Sequence, residues 1–160
     1  MHVFDLDDTL AIPDKETDRK NYFMTIDHLE PIPSMVQLFN DIKTEHPTMI
    51  LTTRHPDLKE EIREKFNCEV ECRNFCLTWD EIFEALRTDD NLKKFMLQMI
   101  SWKTGVLNQL ADNYQTVIFY DDLVHRYEKS RLKNNIYLKK PLHILDGEQP
   151  LFLKTKNTNK

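Results

Sequence analysis

The sequence predicts an α/β protein built as a three-layer, doubly wound parallel sheet with helices on both faces. Two observations carry this reading. Short apolar runs, several of them β-branched, alternate along the chain with charged stretches of helical period. Three of those runs also end in carboxylates or hydroxyls, and the carboxyl ends of strands are where open parallel sheets bind ligands. The first run, around Val3 and Phe4, leads into Asp5-Leu6-Asp7-Asp8-Thr9. The second covers residues 48–51 and ends in Thr52-Thr53, and the third covers 116–120 and ends in Asp121-Asp122.

Taken in order, the opening strand is followed by residues 11–33, whose charges and whose Pro13, Pro31 and Pro33 predict a loop or small flap bordering the site. Ser34 reads as a helix start, with Met35, Val36, Leu38, Phe39 and Ile42 as its apolar stripe and His46-Pro47 as its stop. Residues 48–53 form a buried strand and 57–66 a charged amphipathic helix. A third strand is expected within 68–77. Two helices follow, over about 79–86 and 91–112, the second broken near Ser101. Residues 116–120 give an apolar strand, and 136–138 and 143–145 read as short late strands. The polar, basic tail 154–160 is expected to fray, which leaves one domain over 1–153.

Composition narrows the function. A chain of 160 residues, 40% apolar, suits one compact domain. Its net charge of −5 argues against a broadly basic nucleic-acid surface but permits a local basic groove around a phosphate. Cys68, Cys72 and Cys76 are an odd set without the Cys-x-x-Cys pairing of common zinc sites. On a strand they share one face, so they read as buried core thiols of a reduced, cytoplasmic protein. No apolar stretch approaches the roughly 20 residues that cross a bilayer, so a soluble protein without a membrane partner is expected.

The chemistry concentrates in the polar strand ends. In an extended strand Asp5 and Asp7 point to one side, and two carboxylates that close need a divalent cation, a shared proton or a basic partner. Oxygen-only ligands favour a hard ion such as Mg²⁺. Asp8 reads as a turn residue, and Asp122 either as an ion ligand or as a cap for the helix that follows.

Asp5-Leu6-Asp7-Asp8-Thr9, then Thr52, Lys103 and Asp121-Asp122, in that order, resemble the four motifs of the haloacid dehalogenase superfamily of phosphatases. The resemblance covers roughly residues 1–140. It implies a Rossmann-like fold with a minimal cap, and a phosphomonoesterase in which Asp5 attacks phosphorus to form an aspartyl-phosphate. Asp7 would protonate the leaving oxygen and later deprotonate water. Mg²⁺ would be held by Asp5, the main-chain carbonyl of Asp7 and an acid from Asp121-Asp122, while Thr52 and Lys103 would bind the phosphoryl oxygens.

Thr52-Thr53-Arg54 further resembles the Ser-Gly-Arg or Thr-Gly-Arg of polynucleotide 3′-phosphatase domains, with Thr53 standing where glycine is usual. Trp102-Lys103 and Tyr120-Asp121-Asp122 followed by His125 are similar to that group and to related RNA-repair-like phosphatases. No kinase domain with a phosphate-binding glycine loop accompanies them. Arg54, His125 and Arg126 are the expected substrate contacts. Since members of the superfamily with small caps tend to accept macromolecular ends, the expected substrate is a 3′-phosphate on a nucleic-acid end. Alternatives are a nucleotide or small-metabolite phosphatase, a phosphoserine phosphatase, or a catalytically retired binding module, against which the retained Asp5 and Asp7 argue.

Overall fold

The first strand, β1 (His2–Phe4), is short because the chain leaves strand geometry at Leu6, but it lies at the centre of the sheet. Val3 and Phe4 are fully buried and face opposite ways, each into its own hydrophobic cluster. The structure, a computed structural model, describes residues 1–14, 25–73, 80, 84 and 87–145. Among these, β1 pairs in parallel with β4 (Thr48–Thr52) on one side and β6 (Val117–Tyr120) on the other. Beyond them lie β5 (Glu69–Cys72) and β7 (Ile136–Lys139), also parallel, giving the order β5-β4-β1-β6-β7.

Alternation along these strands divides the core into two layers. Phe4, Ile50, Val70, Cys72 and Tyr120 face one way, and helices α1 (Pro33–Glu45) and α2 (Lys59–Phe66) cover them with Met35, Phe39, Ile62 and Phe66. Phe4 stacks on Tyr120 at 4.4 Å between ring centroids and meets Phe39 edge-on at 5.2 Å, both favourable ring geometries. Val3, Leu51, Val117 and Phe119 face the other way, against helix α3 (Asp89–Asn113). The expected α/β architecture, a parallel sheet flanked by helices on both faces, is therefore present.

The helices begin and end where local chemistry dictates. Pro33, whose fixed φ suits a first helical position, starts α1 ahead of the expected Ser34, with Ile32 as the residue before it. Lys43 of α1 donates to the carbonyls of Phe66 and Asn67, satisfying the open end of α2. Helix α3 starts at Thr88, whose hydroxyl accepts from the Asn91 amide, and runs unbroken through Ser101, correcting the expected interruption. The reason is its buried stripe Phe95, Met99, Lys103, Leu107 and Ala111, which recurs every four residues and outweighs one serine.

Two further expectations meet the structure differently. Within 11–33, strands β2 (Ala11–Pro13) and β3 (Leu29–Pro31) pair as an antiparallel ribbon, and Ala11, Leu29 and Ile32 are buried in the α1–α2 side of the core. Residues 143–145 lie in a short helix, α4 (Leu142–Leu145), rather than a strand, because Pro141 opens a helical turn in which its carbonyl accepts from Ile144. The third strand is found at β5. Of the helix expected over 79–86, only Asp80 and Glu84 fall within the described residues, and both are helical. Cys76, the 15–24 part of the flap and the tail 154–160 lie outside them. No helix among the described residues is long and apolar enough to cross a membrane.

Cys68 and Cys72, four residues apart, both turn toward the α1–α2 core, as the strand reading requires, and burial pushes each thiol up to about 11. At pH 8 so little thiolate remains that alkylation should be slowed on the order of a hundredfold relative to a free thiol. In a Cys76→Ser protein, iodoacetamide should leave both thiols nearly unmodified until denaturant is added. Rapid labelling of the native protein would contradict the raised thiols of half-buried Cys68 and buried Cys72.

Candidate functional site

The order of the strands places a site before any side chain is considered. From β1 the chain moves outward through β4 and β5, then returns through α3 to start again at β6 on the other side of β1. The gap beyond the carboxyl ends of β1 and β6 is thus the point where winding reverses, the place at which doubly wound sheets leave a crevice. Asp5 follows β1, with its amide donating to the Tyr120 carbonyl at 2.9 Å, and Asp121 and Asp122 follow β6.

Three carboxylates from these ends, Asp5, Asp121 and Asp122, are buried with ligand oxygens all within 4.8 Å of one another. Lys103, the one charged member of the α3 stripe, enters this cluster from the face of the sheet. Its Nζ lies 2.8 Å from Asp5 Oδ1 and 2.9 Å from Asp121 Oδ2, and 5.5 Å from the centroid of the Phe119 ring beneath it. Burial alone would make this lysine give up its proton more easily, but Asp121 and Asp5 outweigh it and hold the group above the ordinary lysine value.

Asp121 and Asp122 are adjacent yet differently engaged. Asp121 Oδ1 accepts from the Leu123 amide at 2.7 Å, and Oδ2 accepts from both Lys103 and the Tyr127 hydroxyl at 2.9 Å. Capping of the following turn therefore falls to Asp121. Asp122, by contrast, has a buried Oδ2 with no hydrogen-bond partner among the described residues. Burial, then Asp121, Asp5 and Asp8, push its carboxyl up to about 9, with Lys103 opposing. Burial likewise raises Asp5 to about 8 against the pull of Lys103, with Asp121 and Asp7 adding to the rise. One ammonium does not balance three ionised carboxylates, so without a cation the cluster retains protons, and its oxygen ligands, partly unsatisfied, fit a hard divalent cation.

Asp7 does not join the cluster. The Leu6 carbonyl accepts the amides of Leu10 at 2.9 Å and Ala11 at 3.1 Å, and Asp8 adopts a left-handed conformation, φ 57°, which a short polar side chain tolerates. Strand alternation therefore stops before Asp7, and its carboxylate turns to Arg54 instead. Arg54 donates through Nε to both carboxylate oxygens at 3.1–3.2 Å and through Nη2 to Oδ1 at 2.5 Å. Its Nη1 donates to the Thr25 carbonyl at 3.0 Å, and its own amide donates to Thr52 Oγ1 at 3.1 Å. Thr52, wholly buried at the end of β4, thus satisfies a backbone group, and its O–H is left able to donate.

Of the residues expected from sequence, Asp5, Lys103, Asp121 and Asp122 form one cluster, while Asp7, Arg54 and Thr52 form a second group beside it. His125 and Arg126 stand exposed on the short helix Val124–Arg126, outside the buried cluster. Asp8 is the turn residue expected, although buried. Tyr127, which fixes Asp121, has no counterpart in the sequence reading. Its only signal was an aromatic residue placed amid a charged stretch. Comparison with known proteins finds no matching family model, no matching curated protein and no matching solved structure.

A carboxyl raised by folding keeps its proton where the unfolded chain has already lost it, so stability falls as pH climbs from the ordinary carboxylate range through the raised value. Lys103, raised further, stays charged across that window. In excess chelator the thermal midpoint should therefore fall between about pH 5 and pH 9, and Asp122→Asn should flatten the fall. A midpoint that rises across this range would overturn the charge assignment.

Proposed function

We propose that the chain is a Mg²⁺-dependent phosphomonoesterase of the haloacid dehalogenase type, and that its substrate is a 3′-phosphate on a nucleic-acid end. The observation that carries the reading is the buried cluster of Asp5, Asp121 and Asp122 at the reversal point of the sheet, with the Asp122 oxygen unpartnered. Asp5 and Asp122 would hold the cation with the main-chain carbonyl of Asp7, while Asp121, whose oxygens are taken by Leu123, Lys103 and Tyr127, would support them. When bound, Mg²⁺ would neutralise the carboxylates and the phosphoryl oxygens together.

The chain's own residues divide the remaining work. Lys103 fixes one oxygen of Asp5 and so presents the other for attack on phosphorus. As that oxygen bonds to phosphorus, the bond to the leaving oxygen breaks, and Asp7, which enters this step protonated, gives its proton to the leaving oxygen and becomes the carboxylate that Arg54 stabilises. A water molecule then attacks the aspartyl-phosphate and gives its proton to Asp7. Inorganic phosphate leaves and the Asp5 carboxylate is restored. The Lys103 ammonium and the Thr52 hydroxyl would meet the equatorial oxygens.

Charge distribution supports a polyanionic substrate. In a chain of net charge −5, residues 123–143 contain six Lys or Arg and one acid, Glu128. Exposed His125, Arg126, Lys139 and Lys140 lie at or beyond the carboxyl ends of the neighbouring strands β6 and β7, on the same edge as the cluster. Backbone phosphates next to a scissile end would find counter-charges there.

A phosphate-release panel tests the reading, comparing 3′- and 5′-phosphorylated oligonucleotides, free nucleotides and phosphopeptides with and without Mg²⁺. Chelator should abolish release, Mg²⁺ should restore it, and Ca²⁺, with its looser geometry, should restore little. Asp5→Asn should remove turnover while the protein stays folded. Asp7→Asn should suppress alkyl phosphates far more than an activated aryl phosphate, whose leaving group needs little protonation. Normal turnover by folded Asp5→Asn would exclude the mechanism.

A further inference from the structure

Arg54 was expected to meet substrate, as an arginine just past a strand end that faces a phosphate site. Its surroundings indicate otherwise. The residue is only 3% exposed, and its donors are directed at the protein: Nε and Nη2 at the Asp7 carboxylate, Nη1 at the Thr25 carbonyl. A guanidinium is a planar fork, and engaging both oxygens of a carboxylate fixes that carboxylate's plane as well as its position.

The base of the fork is itself held. The Arg54 amide donates to Thr52 Oγ1, so the backbone that aims the side chain is tied to the wholly buried end of β4. The ribbon is held in turn. Besides the Thr25 contact, Lys65 of α2 donates to the carbonyls of Ile26 and Leu29 at 3.3 and 3.4 Å. Asp7 lies beyond the end of β1, just before the left-handed Asp8, so the sheet does not set its orientation. Arg54 supplies that orientation from just past the end of β4, 47 residues away in sequence.

We infer that Arg54 is the positioning residue for Asp7: it holds the carboxylate that exchanges protons with the leaving oxygen and with water, and it anchors the ribbon to the same point. The inference rests on the phosphatase reading, in which Asp7 is the acid and base. It assigns Arg54 a role different from contact with substrate phosphates. Groups that act as one unit lose their effect together, so removing Arg54 from a protein already lacking the Asp7 carboxylate should change little.

The test uses three substrates with Mg²⁺: a nucleoside 3′-monophosphate, a 3′-phosphorylated oligonucleotide and an activated aryl phosphate. The first two share a leaving group and differ in neighbouring phosphates. Arg54→Ala should lower kcat on both by the same factor, at least tenfold, leave KM on the oligonucleotide nearly unchanged, and spare the aryl phosphate, as Asp7→Asn does. The double variant Asp7→Asn/Arg54→Ala should be within about twofold of Asp7→Asn alone, the limit expected for a coupled pair. Arg54→Lys, which keeps the charge but not the fork, should show the same pattern in weaker form and serves if Arg54→Ala fails to fold. Losses that multiply in the double variant, or a rise in KM confined to the oligonucleotide, would overturn the positioning role and leave the phosphatase reading standing. A wild-type protein that releases phosphate from none of the three would remove both.

Discussion

Everything at the carboxyl edge of the sheet depends on one ammonium group. Asp5, Asp121 and Asp122 come from two adjacent strands and are buried together, and bringing like charges out of water is costly unless they are paired. Lys103 bridges Asp5 and Asp121 and makes that arrangement tolerable. Removing one partner of such a buried pair typically costs about 3–5 kcal/mol, because the remaining charge is left uncompensated. The bridge is incomplete, however. Asp122 keeps an oxygen without a partner among the described residues and a raised carboxyl, so the cluster forms without being fully satisfied.

The architecture exists to hold that geometry. A long, continuous α3 is needed to set Lys103 at the right depth, since its stripe of every fourth residue buries Phe95 and Met99 before it and Leu107 and Ala111 after it. Apolar neighbours on both sides fix the helix against the sheet, and the lysine stem uses the same groove to reach the cluster while the Phe119 ring lies under its ammonium. Phe119 also meets Tyr127 edge-on at 5.7 Å, and Tyr127 holds Asp121. The aromatic layer beneath the acids is thus both core and support.

Much of this could be read from the chain. Strands at 48–52 and 117–120 announce themselves by β-branched and aromatic runs, and the polar residues that end them mark the site edge. Lys103 was singled out by its place in the motif order, whereas its position in a buried stripe recurring every four residues emerges only in the folded helix. The misreadings share a different cause. Residues 143–145 are too short an apolar run for period to distinguish strand from helix, and the neighbouring proline decided the outcome. Tyr127 and Arg54 depend on tertiary pairings, Arg54 with a residue 47 positions away, which no local pattern encodes.

The pair Asp5 and Asp7 shows how the structure resolves what the sequence posed. Two carboxylates two residues apart on one strand would converge and repel, and a cation, a proton or a basic partner would be required for both. The chain instead turns at Leu6, so the two diverge, and each receives its own cation: Lys103 from α3 for Asp5, Arg54 from β4 for Asp7. The choice of cation follows the geometry. A single Nζ suits Asp5, where the ammonium must also reach Asp121 and leave one carboxylate oxygen open. A fork suits Asp7, which the sheet no longer orients. Separate partners let the two acids sit close enough for Asp7 to add to the rise of Asp5, while each stays engaged with its own cation.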